Sequence, residues 1–220
     1  NSVHTFFVPD FILLHHEMKD TFVKFLIQEI EKALGQNPEE SPDYARIINL
    51  KNWQRQLSLL ENQKILYGGQ ASQDSLYLSP TLLDEPKMDS LVMKEEVFGP
   101  ILPILSYKSK EEIDKMISSF DKPLALYLFS QNNFFIDEVL KKYSFGGGCI
   151  NDTVIHLVNN NLPFGGVGNS GMGAYHGKLS FDIFSHKKSI VKRGTWLDLP
   201  LRYAPYGDKL KTIRKVLKWI

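Results

Sequence analysis

Five glycines fall within the eleven residues Pro163-Phe164-Gly165-Gly166-Val167-Gly168-Asn169-Ser170-Gly171-Met172-Gly173. Such a run lets a backbone take positive φ and come close to a neighbour or a ligand. Gly166, Gly168 and Gly171 match the spacing G-x-G-x-x-G. A dinucleotide-binding fingerprint, however, follows a buried strand and carries an acid about 20 residues further on. Here Asn159-Asn160-Asn161 and Pro163 come first, and the nearest acid downstream is Asp182, eleven residues after Gly171. The run therefore reads as a tight structural or active-site loop.

A second cluster is Lys94-Glu95-Glu96-Val97-Phe98-Gly99-Pro100. Paired acids on a solvated face are one reading. The other is a rigid turn, set by Gly99 and Pro100, that fixes one carboxylate and one ring. A carboxylate accepts hydrogen bonds from ribose hydroxyls, and a ring can wall a flat heterocycle. Cys149, the one cysteine, follows Gly146-Gly147-Gly148 at the head of an apolar run. A catalytic thiolate needs a helix N-terminus or a cation beside it, so Cys149 is expected to be a small buried filler. His15-His16-Glu17 reads as solvated polar residues rather than a metal site, and no metal ligand set is expected. His156 and Tyr175-His176 have no partner that the sequence assigns. The last run, 208–220, places Leu210, Ile213, Leu217 and Ile220 on one helical face. Lys209, Lys211, Arg214, Lys215 and Lys218 flank it, and Trp219 is near the end. Two readings stay open for it: a helix docked on protein, or one lying on an anionic membrane surface.

The elements that must position these groups alternate. Apolar runs at 11–14, 64–67, 76–83, 101–107, 124–129 and 146–151 read as strands, those at 11–14, 101–107, 124–129 and 147–151 as buried ones. Pro103 marks an edge or a bulge in its strand. Helical spacing covers 20–34 (stopped by Gly35), 50–61, 110–120 and 133–143. Strand followed by helix, repeated, predicts a three-layer α/β domain around a mostly parallel sheet. The chain has 220 residues, 43% hydrophobic and 23% charged, enough for a real core. Its net charge of +1 gives no basic field for nucleic acid. One cysteine excludes an intramolecular disulfide framework and a multi-cysteine zinc site. No stretch reaches about 18 consecutive apolar residues and no secretory signal opens the chain, so a cytoplasmic protein is expected.

Three segments together resemble the C-terminal, catalytic-domain half of an aldehyde dehydrogenase, on the class 3 and fatty-aldehyde branch. They are EEVFGP at 95–100, KPLALYLFS at 122–130 and LPFGGVGNSGMGAYHGKLSFDIFSHKKS at 162–189. The resemblance implies that Glu96 contacts the nicotinamide ribose and that Phe98 flanks the nicotinamide. It implies that Phe6, Phe164, Gly165 and Gly166 line the substrate tunnel, the glycine loop forming its base. NAD or NADP serves the parent enzyme. The catalytic domain would span 1–184, and 185–220 would hold an oligomerisation strand and the basic tail. A homo-oligomer, a dimer at least, follows from the family.

The departures from the family carry as much weight. In the family the nucleophile segment reads Asn, a small residue, Gly, Gln, Thr, Cys and runs on to Pro-Asp-Tyr. Here Asn1-Ser2-Val3-His4-Thr5-Phe6-Phe7-Val8-Pro9-Asp10-Phe11 aligns without a gap. Phe6 stands at the nucleophile position, and Val3 and His4 replace the Gly and Gln. Ser2, Val3, His4 and Phe6 each lie one G-to-T change from the family residue, so a truncated or poorly read gene is expected rather than an evolved new function. The dinucleotide-binding domain, the general-base glutamate and the oxyanion asparagine are expected to be absent. The family reaction starts with thiolate attack on the aldehyde, passes hydride to NAD(P)+ and ends with thioester hydrolysis. A catalytic-domain fragment, inactive alone, with no catalytic residue and no cofactor bound, is the expectation. The alternative is a non-catalytic scaffold protein that keeps the dehydrogenase fold and its dimer surface.

Overall fold

The computed structural model of the chain describes residues 8–196, 198–207 and 209–218. They divide after Phe181 into two compact units. In the first unit the strands are β1 (Ile12–His15), β2 (Ile65–Tyr67), β3 (Ala71–Ser72), β4 (Tyr77–Leu78), β5 (Thr81–Asp84), β6 (Ile101–Tyr107), β7 (Ala125–Leu128) and β8 (Gly147–Ile150). The helices are α1 (Lys19–Leu34), α2 (Leu50–Leu59), α3 (Leu91–Lys94), α4 (Lys110–Ser118), α5 (Asn133–Lys142) and α6 (Gly177–Ile183), which crosses the division. α7 (Lys209–Val216) lies in the second unit. Local chemistry explains the starts of three of them. The side chains of Asn49, Ser109 and Asn132 accept from the backbone N–H three residues on, capping α2, α4 and α5. No helix among the described residues is long and apolar enough to cross a membrane.

The main sheet has the order β1-β6-β5-β2. β6 runs parallel to both β1 and β5, whereas β2 pairs antiparallel with β5. β7 and β8 form a separate parallel pair and β3 and β4 a short antiparallel one. This is the mixed, mostly parallel α/β architecture expected. One face of the sheet gathers Leu83, Ile101 and Leu105 with Trp53 and Leu59 of α2 and Val92 and Met93 of α3. By strand alternation, Leu82 and Ile104, both buried, belong to the opposite face.

Three expectations need correction. Of the four strands expected to be buried, only β6 is; β1 and β7 are half-buried throughout and β8 ends on an exposed Ile150. Among the described residues β1 is an edge strand and β7 and β8 pair only with each other, so each lacks a neighbour on one side. Pro103 sits in the central strand, not at an edge, and its side chain is fully buried. Pairing of β6 with β1 begins at Ile104, so the sheet is still open on that side where the proline N–H is missing. The expected strand at 76–83 is broken into β4 and β5 by Ser79-Pro80, and Leu76 takes a positive φ of 50°.

α1 is fastened to the sheet by charge. Lys19 Nζ lies 2.5 Å from Asp84 Oδ1 and 2.5 Å from Glu85 Oε1. Lys64 donates to Asp84 at 2.5 Å, and the N–H of Ser106 donates to Glu85 Oε2 at 3.1 Å. Desolvation pushes both carboxyls up, but the hydrogen bonds from Lys19, from Lys64 to Asp84 and from Ser106 to Glu85 outweigh it. Both pKa values end below their ordinary 3.8 and 4.5. A carboxyl held low in the folded state stabilises above its unfolded pKa and loses that contribution as pH falls through the folded value. Asp84→Asn should therefore cost about 2 kcal/mol at neutral pH. Urea unfolding as a function of pH checks this: the gap to the parent chain should close in the acid limb, and a gap constant with pH would contradict it.

Candidate active site

The loop carrying Glu96 and Phe98 runs between α3 and β6, and α2 grips it by its backbone. Arg55 donates to the carbonyls of Glu96 (3.2 Å) and Val97 (2.5 Å), and its guanidinium also lies 3.7 Å from Glu95 Oε2. Gln56, with 0% of its surface exposed, donates through Nε2 to the carbonyls of Val97 (2.6 Å) and Phe98 (3.2 Å). From the far side Asp10 Oδ1 accepts from the Val97 N–H at 3.2 Å. The Asp10 carboxyl is pushed above its ordinary range by desolvation; the Val97 N–H opposes this and nearby Glu96 adds to it.

Val97 is buried at the centre of these contacts. Glu96 and Phe98, on either side of it, are thrown outward: Glu96 is exposed and Phe98 half-buried. Phe98 holds a φ of +43°, a conformation an aromatic residue keeps only when its surroundings fix it. The next residue has to be glycine. A Cβ on Gly99 would stand 1.9 Å from Gln56 Oε1. The result is an exposed carboxylate and a half-buried ring two residues apart on an immobilised turn, the rigid-turn reading of the sequence.

The glycine loop is a second fixed piece. Phe164 and Tyr175 exchange backbone hydrogen bonds of 2.9 and 2.8 Å, closing the loop at its base. Between them the Val167 N–H donates to Ser170 Oγ, which donates back to the Val167 carbonyl, both at 3.0 Å. Chain packs on chain so closely that a Cβ on Gly165 would meet the Gly173 carbonyl at 2.1 Å. On Gly166 it would meet that of Ser170 at the same distance. Gly168–Ser170 forms one 3-10 turn, not the start of a long helix, in keeping with a tight loop rather than a dinucleotide fingerprint.

Phe164 is buried and ringed by aromatic groups: Tyr175 at 5.5 Å edge-on, His176 at 6.0 Å and His156 at 6.2 Å between centroids. His156 in turn meets Tyr127 edge-on and takes a 3.4 Å contact from Cys149 Sγ to Nδ1. Burial lowers the imidazole pKa, favouring the neutral ring. Cys149 is thus half-buried and in contact with a histidine, where a small buried filler was expected, because the turn at 155–157 folds His156 back over β8. Glu96 and Phe98 come together on one loop, and Phe164, Gly165 and Gly166 on another. Phe6 lies outside the described residues. The rings of His15 and His16 lie tilted, 4.7 Å apart, His15 meets Tyr107 edge-on, and no group of three metal-ligating side chains exists among the described residues.

Arg55, Gln56 and Asp10 were not singled out from the sequence. One signal was available for Gln56. It shares the stripe of Trp53 and Leu57 in α2 and Leu60 at its C-cap, and a polar residue on an apolar stripe needs a buried partner.

Residues 8–190 match the aldehyde dehydrogenase family. The chain belongs to that family. It is 47% identical over 220 residues to the 4,4'-diaponeurosporen-aldehyde dehydrogenase of Staphylococcus aureus (strain NCTC 8325 / PS 47), covering 99% of this chain and 48% of that one. It is 47% identical over 210 residues to aldehyde dehydrogenase family 3 member A2 of Rattus norvegicus, covering 94% and 43%. A solved structure described as the substrate-bound state of Staphylococcus aureus AldH superposes with a TM-score of 0.86 at 47% identity, over 97% of this chain and 47% of that one. The chain spans about half the length of these relatives. Its resemblance to class 3 aldehyde dehydrogenases is therefore upheld, as a fragment of the superfamily.

The Gly99–Gln56 contact makes a prediction that needs no activity. Gly99→Ala overpacks the clamp and should cost about 2 kcal/mol. In a Gln56→Ala background, where the obstructing amide is gone, the same change should cost markedly less. Thermal or urea unfolding of the two single variants and the double variant measures the coupling; strictly additive costs would show that the two residues do not meet.

Proposed function

We propose that these residues form the substrate-side half of an NAD(P)-dependent aldehyde dehydrogenase, acting in the cytoplasm, and that the 220-residue chain is inactive alone. The observation that carries the reading is the clamped turn of Glu96 and Phe98 on a chain of this family. An exposed carboxylate on a fixed backbone accepts hydrogen bonds from vicinal hydroxyls of a ribose, and Phe98 beside it offers a flat apolar wall. The residues present fit the nicotinamide end of the cofactor. When bound, that group supplies the hydride acceptor for aldehyde oxidation. The buried Phe164 and the close-packed Gly165-Gly166 form a rigid floor suited to holding an aldehyde chain in a narrow passage. The relative named 4,4'-diaponeurosporen-aldehyde dehydrogenase supports an aldehyde substrate.

Inactivity follows from chemistry at residue 6. A phenylalanine ring has no lone pair to attack a carbonyl, so the covalent adduct of the family reaction cannot form on Phe6. Val3 stands where the family has glycine, and a β-branched residue resists the backbone conformations glycine takes. The family's oxyanion donor and general base have no counterpart among the residues assigned here; such groups are worth roughly 10²–10³ and 10²–10⁴ in rate. Self-association accompanies the reading. Phe184, Ile190 and Val191 are largely exposed in the segment expected to supply an oligomerisation strand, and pairing with a second copy would cover them.

Phe6→Cys restores a thiol and nothing else. Purified Phe6→Cys chain, assayed by NADH or NADPH formation from medium-chain and aromatic aldehydes, should show no turnover above buffer. Turnover within about tenfold of a typical enzyme's ~10 s⁻¹ would overturn the inactive-half reading.

A further inference from the structure

The peptide unit that joins Glu96 to Val97 is held at both of its polar ends. Its carbonyl, that of Glu96, accepts from Arg55 Nη1 at 3.2 Å, and its N–H, that of Val97, donates to Asp10 Oδ1 at 3.2 Å. A cation therefore lies at the negative end of this peptide dipole and an anion at its positive end. Hydrogen bonds with one charged member are the stronger kind, and in a chain each polarises the next. The carbonyl side of the turn has further grips, since Arg55 and Gln56 also donate to the Val97 carbonyl. The N–H side depends on Asp10: among the described residues the Val97 N–H has no other acceptor.

Asp10 is itself fixed in place. Phe11 beside it stacks on Phe120, with ring centroids 5.1 Å apart, and Ile12 then enters β1 in register with Ile104 of β6. β1 and β6 run parallel, so Asp10 and Val97 lie on the two segments that lead into neighbouring strands, and their hydrogen bond ties those segments together. The Glu96 carboxylate is close enough to act on Asp10 as a like charge. That repulsion works in the same direction as the backbone grips, keeping Glu96 on the exposed side of the turn.

The two segments joined in this way are the ones whose spacing matters for hydride transfer. Residue 6, the nucleophile position of the family, lies four residues before Asp10, and Glu96 and Phe98 flank Val97. Hydride passes from a carbon held by the nucleophile to the nicotinamide ring, and a misplacement of about 1 Å between reacting groups can cost roughly 10²-fold in rate. We propose that Asp10 is a positioning residue: by holding the Glu96–Val97 peptide and repelling the Glu96 carboxylate, it fixes Glu96 and Phe98 against the segment that follows position 6. This rests on the reading of the turn as a seat for the nicotinamide nucleoside, and adds to it the residue that sets where the seat stands.

The test compares the full parent chain with Asp10→Ala and Asp10→Asn by NMR, first without ligand and then with nicotinamide mononucleotide. Without ligand, amide order parameters at Phe98 and Gly99 should fall in Asp10→Ala below the rigid-backbone value of about 0.85. They should stay near it in Asp10→Asn, whose amide oxygen can still accept from the Val97 N–H. The nucleotide should bind Asp10→Ala about tenfold more weakly than the parent and Asp10→Asn within about threefold of it, as expected for losing one hydrogen bond to a charged group or keeping a neutral one. Thermal unfolding supplies the contrast: a purely structural Asp10 would lower the unfolding temperature of Asp10→Ala and leave the affinity of the folded chain unchanged. That result, order parameters untouched in Asp10→Ala, or equal losses in the two variants would each overturn the proposal. A parent chain with no nucleotide-induced shifts at 96–99 would overturn the nicotinamide reading instead, and the order parameters alone would then decide whether Asp10 holds the turn.

Discussion

The side-chain amide of Gln56 has no access to water, and its two N–H bonds end on the carbonyls of Val97 and Phe98. An amide buried without such partners costs about 2–7 kcal/mol, so the loop and the helix constrain each other. Arg55 adds a charged grip on the same stretch of backbone one residue along. Most of what is distinctive about the loop follows from this contact. Val97 is drawn into the core, its two neighbours are turned outward, Phe98 is held at positive φ, and Gly99 is required because any side chain there would strike the amide. α2 is therefore more than a core helix. It is capped at Asn49, buries Trp53 and Leu59 against the sheet, and uses the intervening Arg55 and Gln56 to set the site.

The glycine loop reaches rigidity by another route. Its backbone approaches itself and Gly146, just before β8, more closely than side chains permit, and it is closed at Phe164 and Tyr175 by a reciprocal pair of backbone bonds. Aromatic rings from the 155–157 turn and the loop's own exit then surround Phe164, and Tyr127 of β7 meets His156 edge-on behind them. Each piece expected to face cofactor or substrate is thus fixed by backbone contacts.

Much of this was legible in the residues. Helical spacing located α1, α2, α4 and α5 to within one or two positions, and apolar runs located β1, β6, β7 and β8. How deeply each strand is buried was not legible, because Leu and Val content reports a preference for burial and not the number of neighbours a strand acquires. Pro103 was misread for the same reason: sequence shows the missing N–H, but not that β1 begins to pair one residue later. Glu96, Phe98 and the glycine loop stood out by composition and family resemblance. Gln56 and Arg55 did not, since their partners are carbonyls some forty residues away, and a carbonyl has no signature in a sequence. Cys149 and His156 are seven residues apart, but only the left-handed Val154 that turns the chain back brings them together.

The central claim is that the turn clamped by α2 presents Glu96 and Phe98 as a seat for the nicotinamide nucleoside. It is tested most directly by titrating the chain with nicotinamide mononucleotide, which carries the ring and ribose but no adenine, and following backbone amide shifts by NMR. The account predicts weak saturable binding, with Kd on the order of 1 mM, about −4 kcal/mol. Shifts should centre on residues 96–99 and disappear in Phe98→Ala with the rest of the spectrum intact. Shifts centred elsewhere, or a titration that Phe98→Ala leaves unchanged, would contradict it.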